Sequence, residues 1–153
     1  MTVRMVRQTT LKPEVPRGPR VVAVGFPRGK TPGLVISKAI WNEFGTRGGA
    51  SGGGWGGPIP ERPFLRNAMR DNQRKYARFS ASKARDLVEG KITLEGVLKQ
   101  LGVLAQGDVQ HEITALREPP NSPVTIAAKG SSNPLIDTGE MRQSVTWQIR
   151  AER

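Results

Sequence analysis

Residues 63–117, PFLRNAMRDNQRKYARFSASKARDLVEGKITLEGVLKQLGVLAQGDVQHEITALR, decide the fold. Leu65, Met69, Asn72, Tyr76, Phe79, Lys83 and Leu87 recur in steps of three or four and mark one helical face, apolar except at Asn72 and Lys83. Pro63 can stand at N1, where its missing N–H costs nothing, and Gly90 closes the pattern. Thr93 is an N-cap candidate, and Leu94, Val97, Leu98, Leu101, Leu104, Val109, Ile113 and Leu116 follow at near-heptad spacing until Pro119 and Pro120 stop them. The spacing predicts helices near 63–89 and 94–117. A connection of about four residues makes them antiparallel neighbours.

Outward from this hairpin, Val21, Val22, Ala23, Val24 and Phe26 read as a strand stopped by Pro27 and Gly29. Val35, Ile36, Ala39, Ile40 and Phe44 have helical spacing, which predicts a short helix over 34–44 with Gly45 at C′. On the other side, Pro123–Ala128 reads as a short strand and 131–134 as a turn. Asp137-Thr138-Gly139-Glu140 has capping-box spacing and would open a short helix through Ser144. Val145, Trp147 and Ile149 alternate with polar residues, as in a half-buried strand. The expectation is a single α+β domain over 21–150: a small antiparallel or mixed sheet, drawn from both the N- and C-terminal parts, packed against a long antiparallel helical hairpin. A chain of 153 residues suits one such domain.

Two stretches stand outside it. Residues 1–20 place Pro13, Pro16 and Pro19 among Arg4, Arg7, Lys12, Arg17 and Arg20. That composition fits an extended, polyproline-like basic arm or a frayed terminus. Between Gly45 and Gly57 eight of 13 residues are Gly, which makes 46–58 a mobile loop with Trp55 in its middle. No Gly-Lys-Ser/Thr follows, so it is not a phosphate-binding P-loop. Trp55 has two readings, uptake by a partner surface or folding back onto its own domain.

Charge is the most unusual property. The formal net charge is +11, with 9 basic against 2 acidic side chains in residues 1–50, 10 against 5 in 51–100 and 5 against 6 in 101–153. The asymmetry points to a polyanionic or acidic neighbour for the first two thirds. Arg62, Arg66, Arg70, Arg74 and Arg78 repeat every four residues and form one stripe along the first long helix. Either external anions meet this stripe, as DNA phosphates or an acidic face of another subunit, or it is a solvated face.

The candidates for chemistry are weak. With no Cys and one His there is no thiolate chemistry, disulfide or multi-His metal site. His111 has no partner at metal spacing and reads as a surface or interface residue. Ser131, Ser132 and Lys129 lack the surroundings of a Ser–Lys dyad. Capping accounts for Asp137 and Glu140. No catalytic, metal or cofactor residue emerges, and no apolar run is long enough for a membrane span, so the expectation is a soluble intracellular or particle-bound protein without cofactor.

Three stretches carry a resemblance. Trp41-Asn42-Glu43-Phe44-Gly45-Thr46 is followed, across the Gly-rich insert, by Ile59-Pro60-Glu61-Arg62-Pro63-Phe64-Leu65-Arg66, and later by Leu135-Ile136-Asp137-Thr138-Gly139-Glu140-Met141-Arg142-Gln143-Ser144. This order resembles the tail-completion or neck proteins of long-tailed bacteriophages, also described as head–tail joining or minor tail proteins. The likeness spans roughly 21–150, with the insert at 48–57 and the basic arm as departures. It implies a structural virion protein rather than an enzyme, placed at the neck after assembly in the host cytoplasm. Its implied partners are copies of itself in a six-fold or twelve-fold ring, tail-terminator or tail-tube proteins and head connector or adaptor proteins, with genome DNA touched only non-specifically and no membrane. A tail-terminator or connector role, or a basic DNA-binding protein, are the alternatives.

Arg62, Arg66, Arg70, Arg74, Arg78, Trp55, Arg4, Arg7, Arg17 and Arg20 are then the residues expected to face subunits or DNA. Asn42, Glu43, Phe44, Gly45, Thr46, Pro60, Arg62, Pro63, Phe64, Asp137, Thr138 and Gly139 are the expected structural motif residues. Among them, Arg62 and Arg66 should anchor the helix start against Asn42–Thr46, Pro63 and Phe64 should fix its entry angle, and the Asp137–Glu140 cap should set the last helix against the sheet.

Overall fold

A computed structural model describes residues 20–47 and 58–151. The arm with Arg4, Arg7 and Arg17, and the part of the Gly-rich loop that holds Trp55, lie outside the described residues. The chain forms β1 (Arg20–Gly25), α1 (Gly33–Phe44), α2 (Phe64–Asp71), α3 (Gln73–Val88), α4 (Leu94–Ala115), α5 (Pro123–Lys129), α6 (Glu140–Gln143) and β2 (Thr146–Ala151). The fold is α+β, as the sequence pattern indicates.

The sheet joins distant parts of the chain. β1 pairs antiparallel with β2, Val22 opposite Ile149 and Val24 opposite Trp147. Two strands alone are marginal in water, and α4 packs across both. This 22-residue helix starts where expected, with Thr93 Oγ1 accepting from Gly96 N at 3.1 Å. It is also the centre of the molecule, since α2, α3 and α6 pack on it as well. The core consists of Val35 and Ala39 from α1, Phe64 and Ala68 from α2, Val109, Ile113 and Leu116 from the α4 end, and Leu135, Met141 and Val145. Phe64 and Ile113 are fully buried, and each contributes about 1.5–3 kcal/mol by leaving water.

Four expectations need correction. The first long helix is broken at Asn72, whose φ/ψ of −101°/5° lies outside helical geometry. At the break Asn72 Nδ2 donates to Ala68 O at 2.9 Å, while its backbone N–H leaves that carbonyl and turns to Arg70 O. Beyond the break α3 buries no residue fully, and Tyr76, Phe79, Lys83 and Leu87 are half-buried. Secondly, the helix starts at Phe64, with Pro63 as the flanking cap residue rather than N1.

Thirdly, Pro123–Lys129 is a helix and not a strand. The β-branched Val124, Thr125 and Ile126 suggest extension, but Ser122 Oγ caps Thr125 N at 3.2 Å, Pro123 opens the turn, and Gly130 closes it at φ 67°. Helix punctuation wins over side-chain preference. Finally, no capping box forms at 137–140. Gly139, at φ 80°, is the cap residue of α6 and offers no side chain, Thr138 Oγ1 accepts from Glu140 N at 3.4 Å instead, and Asp137 and Glu140 are exposed.

Candidate interaction site

The C-terminus of α1 and the start of α2 meet across the Gly-rich insert. Thr46 N donates to Ile59 O at 2.9 Å, Ile59 N to Thr46 Oγ1 at 3.0 Å, and Arg62 N to Asn42 O at 2.6 Å. These bonds clasp both sides of the insert. Gly45 is required there twice over: its φ is 69°, and a Cβ would stand 3.0 Å from Ile59 O.

Glu43 is buried at 3% exposure, and its carboxylate caps a helix other than its own. Oε2 accepts from Leu65 N at 2.9 Å, and Oε1 from Arg66 N at 3.2 Å and Arg66 Nε at 2.9 Å. The first free N–H groups of α2 and the positive end of its dipole thus find a carboxylate. Arg66 completes the knot, donating from Nη2 to Glu43 O and to Glu61 Oε1, with its guanidinium 5.2 Å from the Phe44 ring centre. The hydrogen bonds to Glu43 and then Glu61 hold Arg66 in its charged form more firmly than usual. The expected anchoring of the helix start against 42–46 is present. Phe64, edge-on to Phe26 with ring centres 6.2 Å apart, fixes the entry of α2 into the core.

The arginine stripe divides. Arg62 is not on the surface: at 3% exposure it cannot face DNA, because four residues and not helix periodicity hold it. Nε donates to Pro119 O, Nη1 to Asn42 Oδ1, and Nη2 to Pro120 O and Asn121 Oδ1, at 2.8–3.3 Å. Arg66 is spent on Glu43 and Glu61. Arg70 pairs with the adjacent, exposed Asp71. Arg74 and Arg78 are exposed and have no ion pair among the described residues. Arg20 is exposed on β1. The outward basic ridge is therefore Arg70, Arg74 and Arg78.

A second surface is apolar. Leu34, Ile40 and Phe44 on α1 are 61%, 51% and 64% exposed. Phe44 and the half-buried Trp41 continue into an open groove with Gly45, Thr46, Pro58, Ile59 and Pro60, edged by the charged Arg47 and Glu61.

Near the clasp, Lys129 Nζ donates to Asn133 O at 3.1 Å and reaches Pro134 O at 3.5 Å. Ser131 Oγ accepts from Asn133 N at 3.3 Å, and among the described residues no hydrogen bond joins Lys129 to Ser131 or Ser132. His111 is exposed on α4. Among the described residues no group of three or more His, Asp or Glu is placed to hold a metal ion, and no helix is long and apolar enough to cross a membrane. Asp137, Thr138 and Gly139 line a shallow cavity with Lys38, Asn42 and Lys129. Sequence spacing misses Lys129, Asn121 and Asn133, because each acts through backbone carbonyls or amides that no periodicity marks.

Comparison with protein-family models, curated proteins and solved structures finds no match.

Proposed function

We propose that the protein is a structural subunit of a tailed-phage neck, a ring component that completes the tail and helps join it to the head. The observation that carries this reading is the outer face of α1, where Leu34, Ile40 and Phe44 stand more than half exposed on one helix that ends in the 42–46 motif. Exposed large apolar side chains grouped on one helix mark a protein-contact surface. Placed against a different surface of the next copy, it makes a heterologous contact, which closes into a ring when the rotation per copy allows. The virion assignment itself comes from the motif resemblance at 41–46, 59–66 and 135–144.

Electron microscopy of the purified protein and of particles tests it. Rotationally symmetric rings, with label at the head–tail junction, are the expected result. A monomer at all concentrations that is also missing from particles overturns the proposal.

The ridge of Arg70, Arg74 and Arg78 favours a second reading, non-specific DNA binding. It requires duplex affinity that falls steeply with salt, and a shallower salt slope by about one per arginine removed. Absence of binding at low salt removes it.

A further inference from the structure

The cleft walled by Pro58, Pro60, Pro120 and Pro134 has two cations on its lining, Arg62 and Lys129. We propose that it binds a carboxylate presented by an acidic segment of a partner protein. The proposal does not rest on the ring reading, since any partner with such a segment suffices.

The first argument is charge. Arg62 is almost fully buried, yet every acceptor it meets is a neutral carbonyl or amide oxygen, and Lys129 likewise meets only backbone carbonyls. No described carboxylate lies within 4.0 Å of either. Asp137, which shares the neighbouring cavity with Lys129, is near enough to favour its charged form but is not among its hydrogen-bond or ion-pair partners, and it does not line this cleft. Of the segments outside the described residues, 48–57, which joins the cleft at Pro58, contains no acidic side chain, while Glu14 and Glu152 lie in the other two. A buried cation without a counter-charge is costly. Burial first, and Arg62 in addition, make Lys129 easier to deprotonate than an ordinary lysine.

The second argument is donor arithmetic. A guanidinium has five N–H groups and an ammonium three. Four of the Arg62 donors and two of the Lys129 donors are used. One hydrogen on Arg62 Nη1 and one on Lys129 Nζ remain, both charged. A carboxylate, with two acceptor oxygens, matches that pair.

The third argument is shape. The cleft has a volume of about 420 Å³, room for a side chain or two behind proline walls. A phosphate fixed on a DNA duplex is carried on a broad rod that cannot follow it in. The exposed ridge of Arg74 and Arg78 is where a duplex would lie.

Calorimetric titration of the whole chain with a terminally blocked hexaglutamate peptide tests the site. Saturable one-to-one binding is expected, with a movement of the Arg62 Nε–H resonance in the ¹H–¹⁵N spectrum. Lys129→Gln should weaken binding about tenfold, the loss of one charge-assisted hydrogen bond, whereas the Arg74→Gln, Arg78→Gln double variant should change it by less than about twofold. Thr125→Glu, a carboxylate tethered at the lining, should also weaken the peptide and raise the melting temperature. No binding at millimolar peptide, an unchanged affinity in Lys129→Gln, or loss confined to the Arg74/Arg78 variant overturns the proposal. Displacement by inorganic phosphate or by a short duplex at matching concentration overturns the carboxylate assignment. Rings seen by microscopy in Lys129→Gln would separate failure here from failure of the neck reading.

Discussion

The Trp147 indole fills the space that a side chain at Gly102 would need. A Cβ on Gly102 would stand 2.6 Å from Trp147 Cε3 and 2.8 Å from Cγ, so the indole of β2 rests on the bare backbone of α4. This contact brings the sheet and the long helix together, and it explains a glycine in the middle of an otherwise good helix. Gln106 Nε2, one turn on, donates to Val145 O at 2.9 Å and holds the entry to the same strand.

Gly102→Ala should therefore destabilise the protein, by about 2 kcal/mol or more, because overpacking here pushes on a ring and a sheet together. Gly107 is the internal control. It lies on the same helix, and a Cβ there would meet nothing within 4 Å, so Gly107→Ala should stabilise by about 0.5–1 kcal/mol. Denaturant unfolding followed by circular dichroism measures both, and equal effects of the two substitutions would contradict the packing argument.

Glu43 supports α2 from outside that helix, which makes it more critical than its partner. Glu43→Ala leaves two backbone N–H groups without their carboxylate and Arg66 with Glu61 alone, and should cost about 3 kcal/mol. Arg66, with a side chain 51% exposed, can turn to water, so Arg66→Ala should cost clearly less than Glu43→Ala. The double variant should be much less than additive in a thermal-unfolding cycle.

Much of this fold is legible in the sequence because simple periods report burial faithfully. Val145, Trp147 and Ile149 mark β2, Val35 and Ala39 mark the inner side of α1, and Val109, Ile113 and Leu116 mark the inner side of α4. Failures occur where one side chain's hydrogen bond outweighs a period. Asn72 breaks a helix that its neighbours would continue, and Ser122 and Gly130 turn a β-branched run into α5. The interaction site is legible in part: Arg66 meets the 42–46 segment as its motif implies. Counting by i,i+4 misplaces Arg62 on a stripe, while its acceptors at Pro119, Pro120 and Asn121 are contributed 57–59 residues away.

Asn133 organises the approach to α6, the role expected of the Asp137 cap. Its Oδ1 accepts from Leu135 N at 3.0 Å and Ile136 N at 3.1 Å, and its Nδ2 donates to Thr114 O at 3.0 Å. Asn133→Ala should cost about 2 kcal/mol by stranding those groups. Asp137→Ala should stay within about 0.5 kcal/mol, where a true capping box would lose about 1 kcal/mol. A larger loss for Asp137 in urea unfolding would restore the cap.

Tyr76 makes stability depend on alkaline pH, and it can be watched directly because the chain has one tyrosine. Burial, and then the neighbouring Asp108 carboxylate, raise its phenol well above the ordinary 10.0. Lys75 engages the other oxygen of Asp108, Oδ1, at 2.5 Å, leaving the phenol facing negative charge. Unfolded chain ionises near pH 10 while folded chain holds its proton, so this contribution is complete below about pH 10 and is lost as pH rises toward the folded value. Tyrosinate absorbance should consequently appear only together with loss of helical circular dichroism. Tyr76→Phe should leave stability at pH 7 nearly unchanged, since the hydroxyl has no well-formed hydrogen bond to lose, and should shift alkaline unfolding to higher pH. Tyrosinate formation in chain that is still helical would show that the phenol is open to solvent and that Asp108 does not govern it.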